Sequence, residues 1–174
     1  MNKWNKIYKP VVVLSVICII ITAALAVTNG VTAPIIEQAT LQAQENARKE
    51  LVPDAAGFEK VDGIHVENVS EVYVSDNDNA VITASAKGYG GPVVVMVAFT
   101  PEGTIRQIKI TQQTETQGLG SKIVSDPNFQ ASFTGLNAEP VELTDIDAIS
   151  GATRSSKAVT AAVNSAIEAY GQIR

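Results

Sequence analysis

The chain has 174 residues, 45% of them hydrophobic, with 13 basic, 18 acidic and one histidine, and a net charge of −5. That length holds one folded domain with a core of its own, and an acidic balance without a basic cluster argues against nucleic acid or anionic lipid as a ligand. A single cysteine, Cys18, leaves no disulfide, thiolate metal site or iron–sulfur cluster, and any histidine chemistry would rest on His65 alone.

From Pro10 to Ile36 there is no charge, and Val11 to Val27 is interrupted only by Ser15 and Thr22. The run is long enough to span a hydrocarbon layer of ~30 Å and exceeds the roughly 7–15 apolar residues of a signal-peptide core. It predicts a transmembrane helix over residues 10–33. Ala23, Ala24 and Ala26 offer small residues to a signal peptidase, yet the apolar run continues past them, so the helix is read as a retained anchor. Cys18 falls mid-span as a small apolar residue. Lys3, Lys6 and Lys9 precede the span, whereas Glu37 and Glu45 follow it. The positive-inside bias therefore puts residues 1–9 in the cytoplasm and the C-terminal domain on the outer side of the cell membrane. Without those three lysines the remainder carries ten basic and 18 acidic residues.

Gly30 and Pro34 punctuate the end of the span. Beyond them Ile36, Thr40, Ala43, Ala47 and Leu51 recur at helical spacing, which predicts an amphipathic connecting helix ending near Pro53 within a connecting region of residues 34–60. The domain proper is read as residues 61–174. Val72 and Val74, then 81–84, then 93–99, then Ile105, Ile108 and Ile110 read as strands, the last with a bulge where the spacing slips from period two. Turn residues at 76–79, 88–92 and 101–103 separate them, so an antiparallel meander follows, with 93–99 inside the sheet. A short helix is expected through Phe129 and Phe133, an edge strand over 141–149, and a closing helix from about Ser155 with Val159, Ala162, Ala166, Ile167 and Tyr170 on one side. The fold class is α+β: an anchor helix, then an antiparallel sheet with packed helices.

Three stretches draw attention. The first is Asp147-Ala148-Ile149-Ser150-Gly151-Ala152-Thr153. As plain structure, Ser150 or Thr153 caps the following helix, Gly151 allows a tight approach and Asp147 bonds turn amides. As a site, the helix start presents unpaired N–H groups surrounded by Ser150, Thr153, Ser155, Ser156 and Lys157, which is an anion-binding arrangement. Neither the G-x-x-x-x-G-K-[ST] order of a nucleotide loop nor a G-x-S-x-G elbow is present. The second stretch is Glu115-Thr116-Gln117-Gly118-Leu119-Gly120, a compact turn or a loop whose backbone approaches a flat ligand. The third, Gly88-Tyr89-Gly90-Gly91, is a hairpin end or a loop that exposes an aromatic.

The Asp-x-x-Ser-Gly-Ala-Thr pattern of residues 147–153 resembles the covalent flavin attachment motif of the FMN-binding domain family. That domain occurs in the G subunit of the Rnf ion-translocating electron-transport complex and in the C subunit of the Na⁺-translocating NADH:quinone reductase. Residues 115–120 are similar to the family's loop near the flavin ring, residues 88–91 to its glycine-rich hairpin, and residues 25–36 to the end of the Rnf protein's anchor. The resemblance covers nearly the whole chain in order, and the short length favours the Rnf protein over the longer quinone-reductase one. It implies that Thr153 carries FMN through a phosphoester bond. Asp147, Ser150, Gly151 and Ala152 would be recognised by a flavin-attaching transferase. Ser155, Lys157, Glu115, Thr116, Gly118, Leu119 and Gly120 would complete the cofactor site. Gln117 replaces the usual proline and Gln113 a common histidine, and Arg154 follows the acceptor; none of these removes the acceptor.

The resemblance further implies an electron-transfer subunit that works among multi-span flavin and iron–sulfur subunits. The assembly couples electron flow between ferredoxin and NAD⁺ to Na⁺ or H⁺ movement, and this chain alone would catalyse no complete reaction. No catalytic residue and no metal site is expected here. The second reading is a stand-alone tethered FMN carrier serving an extracytoplasmic acceptor.

Overall fold

The computed structural model describes residues 8–118 and 120–173; Lys3, Lys6 and Leu119 lie outside the described residues. The chain forms two compact units, Met1–Ala43 and Gln44–Arg174.

Helix α1 (Lys9–Leu51) fills the described part of the first unit and ends in the second. It is the one described helix long and apolar enough to cross a membrane. Val11, Leu14, Ile19, Ile20, Leu25 and Val27 are all exposed on it, as suits a helix whose solvent is lipid. The two helices read from the sequence are one: α1 runs through Gly30 and Pro34 without a break. Pro34 removes one intrahelical N–H; elsewhere along the helix threonine hydroxyls bond back to the turn before them, Thr28 Oγ1 to the Ala24 carbonyl at 2.9 Å and Thr40 Oγ1 to that of Ile36 at 2.8 Å. At 43 residues and ~1.5 Å per residue the helix exceeds the ~20 residues a bilayer needs.

In the second unit, β1 (Phe58–Lys60), β2 (Val69–Ser75), β3 (Ala80–Lys87), β4 (Pro92–Phe99) and β5 (Ile105–Gln113) form an antiparallel sheet in chain order. The meander and the interior place of β4 match the sequence reading, and β1 is an addition to it. The turns are built as their residues allow. Asp78 takes φ 58 between β2 and β3, and Gly103 takes φ 87 between β4 and β5. The expected irregularity of β5 is present as register shifts against β4 at Val94/Val95 and Ala98/Phe99.

Both faces of the sheet centre are covered, which is why residues 93–99 carry no charge. Val93, Val95, Val97 and Phe99 point to the main core with Ile82, Ile105 and Ile108. Helix α4 (Thr153–Ile173) closes that core with Val159, Ala162, Val163, Ala166 and Tyr170. The alternate residues Val81, Met96 and Ala98 meet Ala47, Leu51 and Val52 at the end of α1. Of the amphipathic stripe predicted from Ile36 to Leu51, only Ala47 and Leu51 are buried. Beside them Arg48, also buried, lies with its guanidinium 4.1 Å from the Tyr73 ring centroid and 3.9 Å from Glu71 Oε2. Lys109 of β5 pairs with Glu50 of α1.

Two elements differ from expectation. The short helix around Phe129 is a pair, α2 (Lys122–Ser125) and α3 (Pro127–Ala131), the second started by Pro127 and by Asp126 Oδ1 accepting from the Asn128 N–H at 3.0 Å. The edge strand expected over 141–149 is absent: the segment is a series of turns anchored by buried Val141, Ile146 and Ile149.

Arg106 Nη1 donates to Asp54 Oδ2 at 3.0 Å and its second amine bonds the other carboxylate oxygen. This pairing holds the Asp54 carboxyl below the usual carboxylate range. A depressed folded-state value contributes stability above the unfolded pKa of about 3.9, and that contribution is lost as pH falls through the folded one. Asp54→Asn is therefore expected to lower the neutral plateau of urea-unfolding midpoints slightly and to converge on wild type in acid, so that its acid limb below about pH 4 is flatter. An acid limb as steep as wild type would show that Asp54 contributes nothing.

Candidate functional site

The β3–β4 turn (88–91), the loop after β5 (114–121) and the first turn of α4 meet at one end of the sheet. A pocket of about 270 Å³ lies between them, lined by Tyr89, Glu115, Thr116, Gly120, Gly151, Ala152, Thr153, Arg154 and Ser155. The three stretches singled out in the sequence are thus brought together from distant parts of the chain.

Each wall follows from local chemistry. The turn closes with the Gly88 N–H donating to the Gly91 carbonyl at 2.8 Å, and its glycines pack against Thr114, Gly90 against the backbone and Gly91 against the side chain. A Cβ on Gly90 would lie 2.3 Å from the Thr114 carbonyl oxygen, and one on Gly91 would lie 2.1 Å from Thr114 Oγ1. The loop after β5 folds on itself through the Gly118 N–H, which donates to Ser121 Oγ at 3.0 Å, with Gly118 at φ 79. Before α4, Gly151 takes φ 81 and the Ala152 N–H donates to the Ile149 carbonyl at 3.0 Å.

The helix begins at Thr153, two residues earlier than the sequence reading. The residue before it is Ala152, which has no side-chain acceptor, so the expected cap by Ser150 or Thr153 gives way to another device. Ser156, wholly buried one turn inside the helix, accepts the Ile149 N–H on its Oγ at 3.2 Å and ties the incoming chain to the helix. The first intrahelical bond at this end runs from the Ser156 N–H to the Ala152 carbonyl at 2.9 Å. The N–H groups of residues 153–155 precede it and point out of the helix end beside exposed Thr153 and Arg154.

Glu115 stands at the centre. It is 6% exposed, its Oε1 accepts from the Tyr89 N–H at 2.8 Å and the Gly90 N–H at 3.2 Å, and its Oε2 accepts from Ser155 Oγ at 2.6 Å. It takes part in none of the ion pairs among the described residues.

Of the residues predicted for the site, Thr153, Gly151, Ala152, Ser155, Glu115, Thr116 and Gly120 line the pocket. Asp147, Ser150, Lys157 and Gly118 are exposed and off its lining, and Leu119 lies outside the described residues. Tyr89 and Arg154 line it in addition to the predicted set. Tyr89 is 69% exposed, and the Arg154 guanidinium sits 5.8 Å from its ring centroid, within cation–π range. An aromatic between glycines and a cation following the threonine are the signals that the sequence offers for them.

Comparison with known proteins bears on this arrangement. The FMN-binding domain family matches residues 88–168, a span that contains all three walls, and the RnfG N-terminal region matches residues 1–51. The G subunit of the Na(+)-translocating ferredoxin:NAD(+) oxidoreductase complex of Acetobacterium woodii is 34% identical, with 96% of this chain and 93% of that protein covered. The G subunit of the proton-translocating ferredoxin:NAD(+) oxidoreductase complex of Clostridium ljungdahlii is 32% identical over 94% of this chain and 91% of that one. The G subunit of the ion-translocating oxidoreductase complex of Methanosarcina acetivorans is 31% identical over 97% and 96%.

Proposed function

Since the chain belongs to the RnfG family, with the FMN-binding domain that marks it, we propose that it is the single-pass membrane protein that relays electrons through FMN within an ion-translocating ferredoxin:NAD⁺ oxidoreductase complex. The flavin is tethered by its phosphate to Thr153 Oγ, and the domain lies on the outer side of the membrane. The observation that carries this reading is the convergence of three separate motifs on one pocket, with the exposed Thr153 hydroxyl at the open N-terminus of α4.

The pocket residues suit the group. The N–H groups of residues 153–155 would hold a phosphodiester on Thr153, a helix-end interaction worth ~0.3–1 kcal/mol, and Arg154, next in the chain and on the pocket lining, would add positive charge. Exposed Lys157, one turn further, adds positive charge. At about 270 Å³ the cavity falls below the roughly 300–1,000 Å³ that encloses a drug-sized ligand, so a flavin would be held in part and remain reachable by a redox partner. Tyr89 and the close-packed backbone at Gly120, both on the pocket lining, supply a wall on which a flat ring can rest. Bound FMN supplies the one- and two-electron chemistry; the chain supplies the tether, the charge at its phosphate and the orientation of the ring. The loading step needs a flavin donor activated as a phosphoric anhydride, delivered by a maturation transferase. The Thr153 Oγ–P bond forms as the anhydride P–O bond breaks, and the hydroxyl proton leaves with the departing phosphate.

The apolar length of α1 has no acidic or basic residue from Pro10 to Ile36, so the ion path belongs to other members of the complex. The relatives named for Na⁺ and for protons match about equally well, so the coupling ion is not set by this comparison. Intact mass of membrane-purified protein from flavinylation-competent cells is expected to exceed the chain mass by one FMN residue, and an unmodified chain would refute the tether. Co-purification with multi-span flavin and iron–sulfur subunits is the accompanying result; a flavin-carrying chain isolated without them would favour the stand-alone carrier.

A further inference from the structure

A carboxylate in a surface loop is ordinarily solvated, and burying one is costly without donors to replace water. Glu115 is buried with both oxygens engaged by groups of the pocket's other two walls. One oxygen holds consecutive amides of the β3–β4 turn, and the other holds the hydroxyl two residues beyond Thr153. The surrounding glycines are cut to its shape. A Cβ on Gly88 would lie 2.0 Å from Glu115 Oε1 and 3.0 Å from the Gly91 carbonyl oxygen, and one on Gly120 would lie 2.6 Å from Glu115 Oε2, 2.8 Å from its Cβ and 2.9 Å from Ser155 Oγ. At Gly88 and Gly120, Glu115 is the nearest of the groups that occupy the space a methyl group would need.

We propose that Glu115 is a positioning residue: a buried strut that fixes the turn bearing Tyr89 against the helix start bearing Thr153, and so sets the width of the pocket. Its carboxylate is spent on protein donors and acts on a bound flavin through the walls it holds. The functional consequence rests on the flavin reading above; the strut itself does not.

The two are separated by measuring the full chain in detergent with two readouts. Amide hydrogen exchange at Tyr89 and Gly90 reports the strut without any flavin. Visible circular dichroism of attached flavin reports the ring's surroundings. Glu115→Ala removes charge-assisted bonds, so exchange at those two amides is expected to quicken by about tenfold or more. Glu115→Gln is expected to stay within about threefold of wild type, less than 1 kcal/mol. Its Oε1 still accepts both amides and its Nε2 donates to Ser155 Oγ, which turns from donor to acceptor. Gly88→Ala should reproduce the Glu115→Ala effect, and adding it to Glu115→Ala should change less than it does alone, because its closest clash is with the removed carboxylate and only the 3.0 Å approach to the Gly91 carbonyl remains. In flavin-carrying protein, Glu115→Ala keeps the attached mass and loses most of the visible circular dichroism, whereas Glu115→Gln keeps both.

Unchanged exchange in Glu115→Ala, a glutamine variant as fast as the alanine one, or additive effects of Gly88→Ala and Glu115→Ala would each overturn the strut. If Glu115→Ala does not fold, Gly88→Ala and Glu115→Gln carry the test, and a Gly88→Ala protein with wild-type exchange overturns it. A wild-type chain without flavin mass refutes the functional reading and leaves the exchange result standing.

Discussion

Thr153→Val is expected to abolish the flavin mass completely while the domain remains folded. Valine keeps the branched shape and removes only the hydroxyl, so no Oγ is left to form the phosphoester. Thr153 is exposed at the first position of α4 and lies outside the core, and substitutions at such sites usually change stability by less than about 0.5 kcal/mol. The unfolding midpoint should therefore stay near that of wild type even as the modification falls from near-complete to none. Thr153→Ser restores an oxygen at the same place and should recover attachment. Ser150→Ala bears on recognition alone: Ser150 is exposed and off the pocket lining, so the variant should still be modified, though more slowly. Intact mass and in-gel flavin fluorescence of membrane-purified protein decide among these. Flavin mass retained in Thr153→Val would move the tether to another hydroxyl, with Ser155 disfavoured because its Oγ is committed to Glu115.

What the chain announces locally, it delivers. The charge-free run of α1, the four strands from 69 to 113 and the apolar stripe of α4 all follow from periodicity and length, because each element repeats one kind of environment along itself. The misreading of 141–149 shows where that logic stops. Val141, Leu143, Ile146 and Ile149 are apolar at loosely alternating spacing, and three of the four are buried. Burial alone does not make a strand, since a strand needs a partner edge. Here the partner is a side chain. Asn164 of α4 accepts from the Val141 N–H at 2.8 Å and donates to its carbonyl at 3.0 Å, doing for one residue what a neighbouring strand would do for several. A contact made across 23 residues leaves no periodic trace.

The same limit governs the site. Its three motifs are visible one by one, each with an ordinary explanation as a turn or a cap. Only the fold shows that Gly88, Glu115, Gly120 and Ser155 fill a single volume, because a glycine's reason for being glycine lies in the atoms of another segment. The cap fails as an expectation for a related reason. Ser150 and Thr153 are the residue types that cap helices, but the buried Ser156, inside the helix, takes the incoming Ile149 amide, and Thr153 stays exposed. A hydroxyl spent on capping would be a poorer acceptor for chemistry, so the displaced cap and the exposed threonine are one feature.

The second large effect lies far from the pocket, at the other end of α4. Phe99 is wholly buried at the end of β4, and its ring stacks on Tyr170 with centroids 4.6 Å apart and planes 18° from parallel. The Tyr170 hydroxyl donates to the Thr100 carbonyl at 3.0 Å. Between Thr153 and Tyr170 the helix rises about 25 Å. This end is thus fixed by an aromatic pair while the other is fixed by Ser155 and Ser156. Phe99→Ala removes the stacking and opens a cavity, at an expected cost of ~3–5 kcal/mol. That is a large part of the ~5–15 kcal/mol by which a domain is ordinarily stable. Urea unfolding followed by far-ultraviolet circular dichroism should show the midpoint falling sharply. Tyr170→Phe keeps the ring and drops one hydrogen bond, so it should cost only ~1 kcal/mol. If the pocket is set by its own walls, flavin loading of Phe99→Ala should fall with the folded fraction and recover at lower temperature, whereas Thr153→Val stays unmodified at every temperature. Loading of Phe99→Ala that stays low while the protein is fully folded would mean that the pocket is set by the far end of the helix as well as by its own walls.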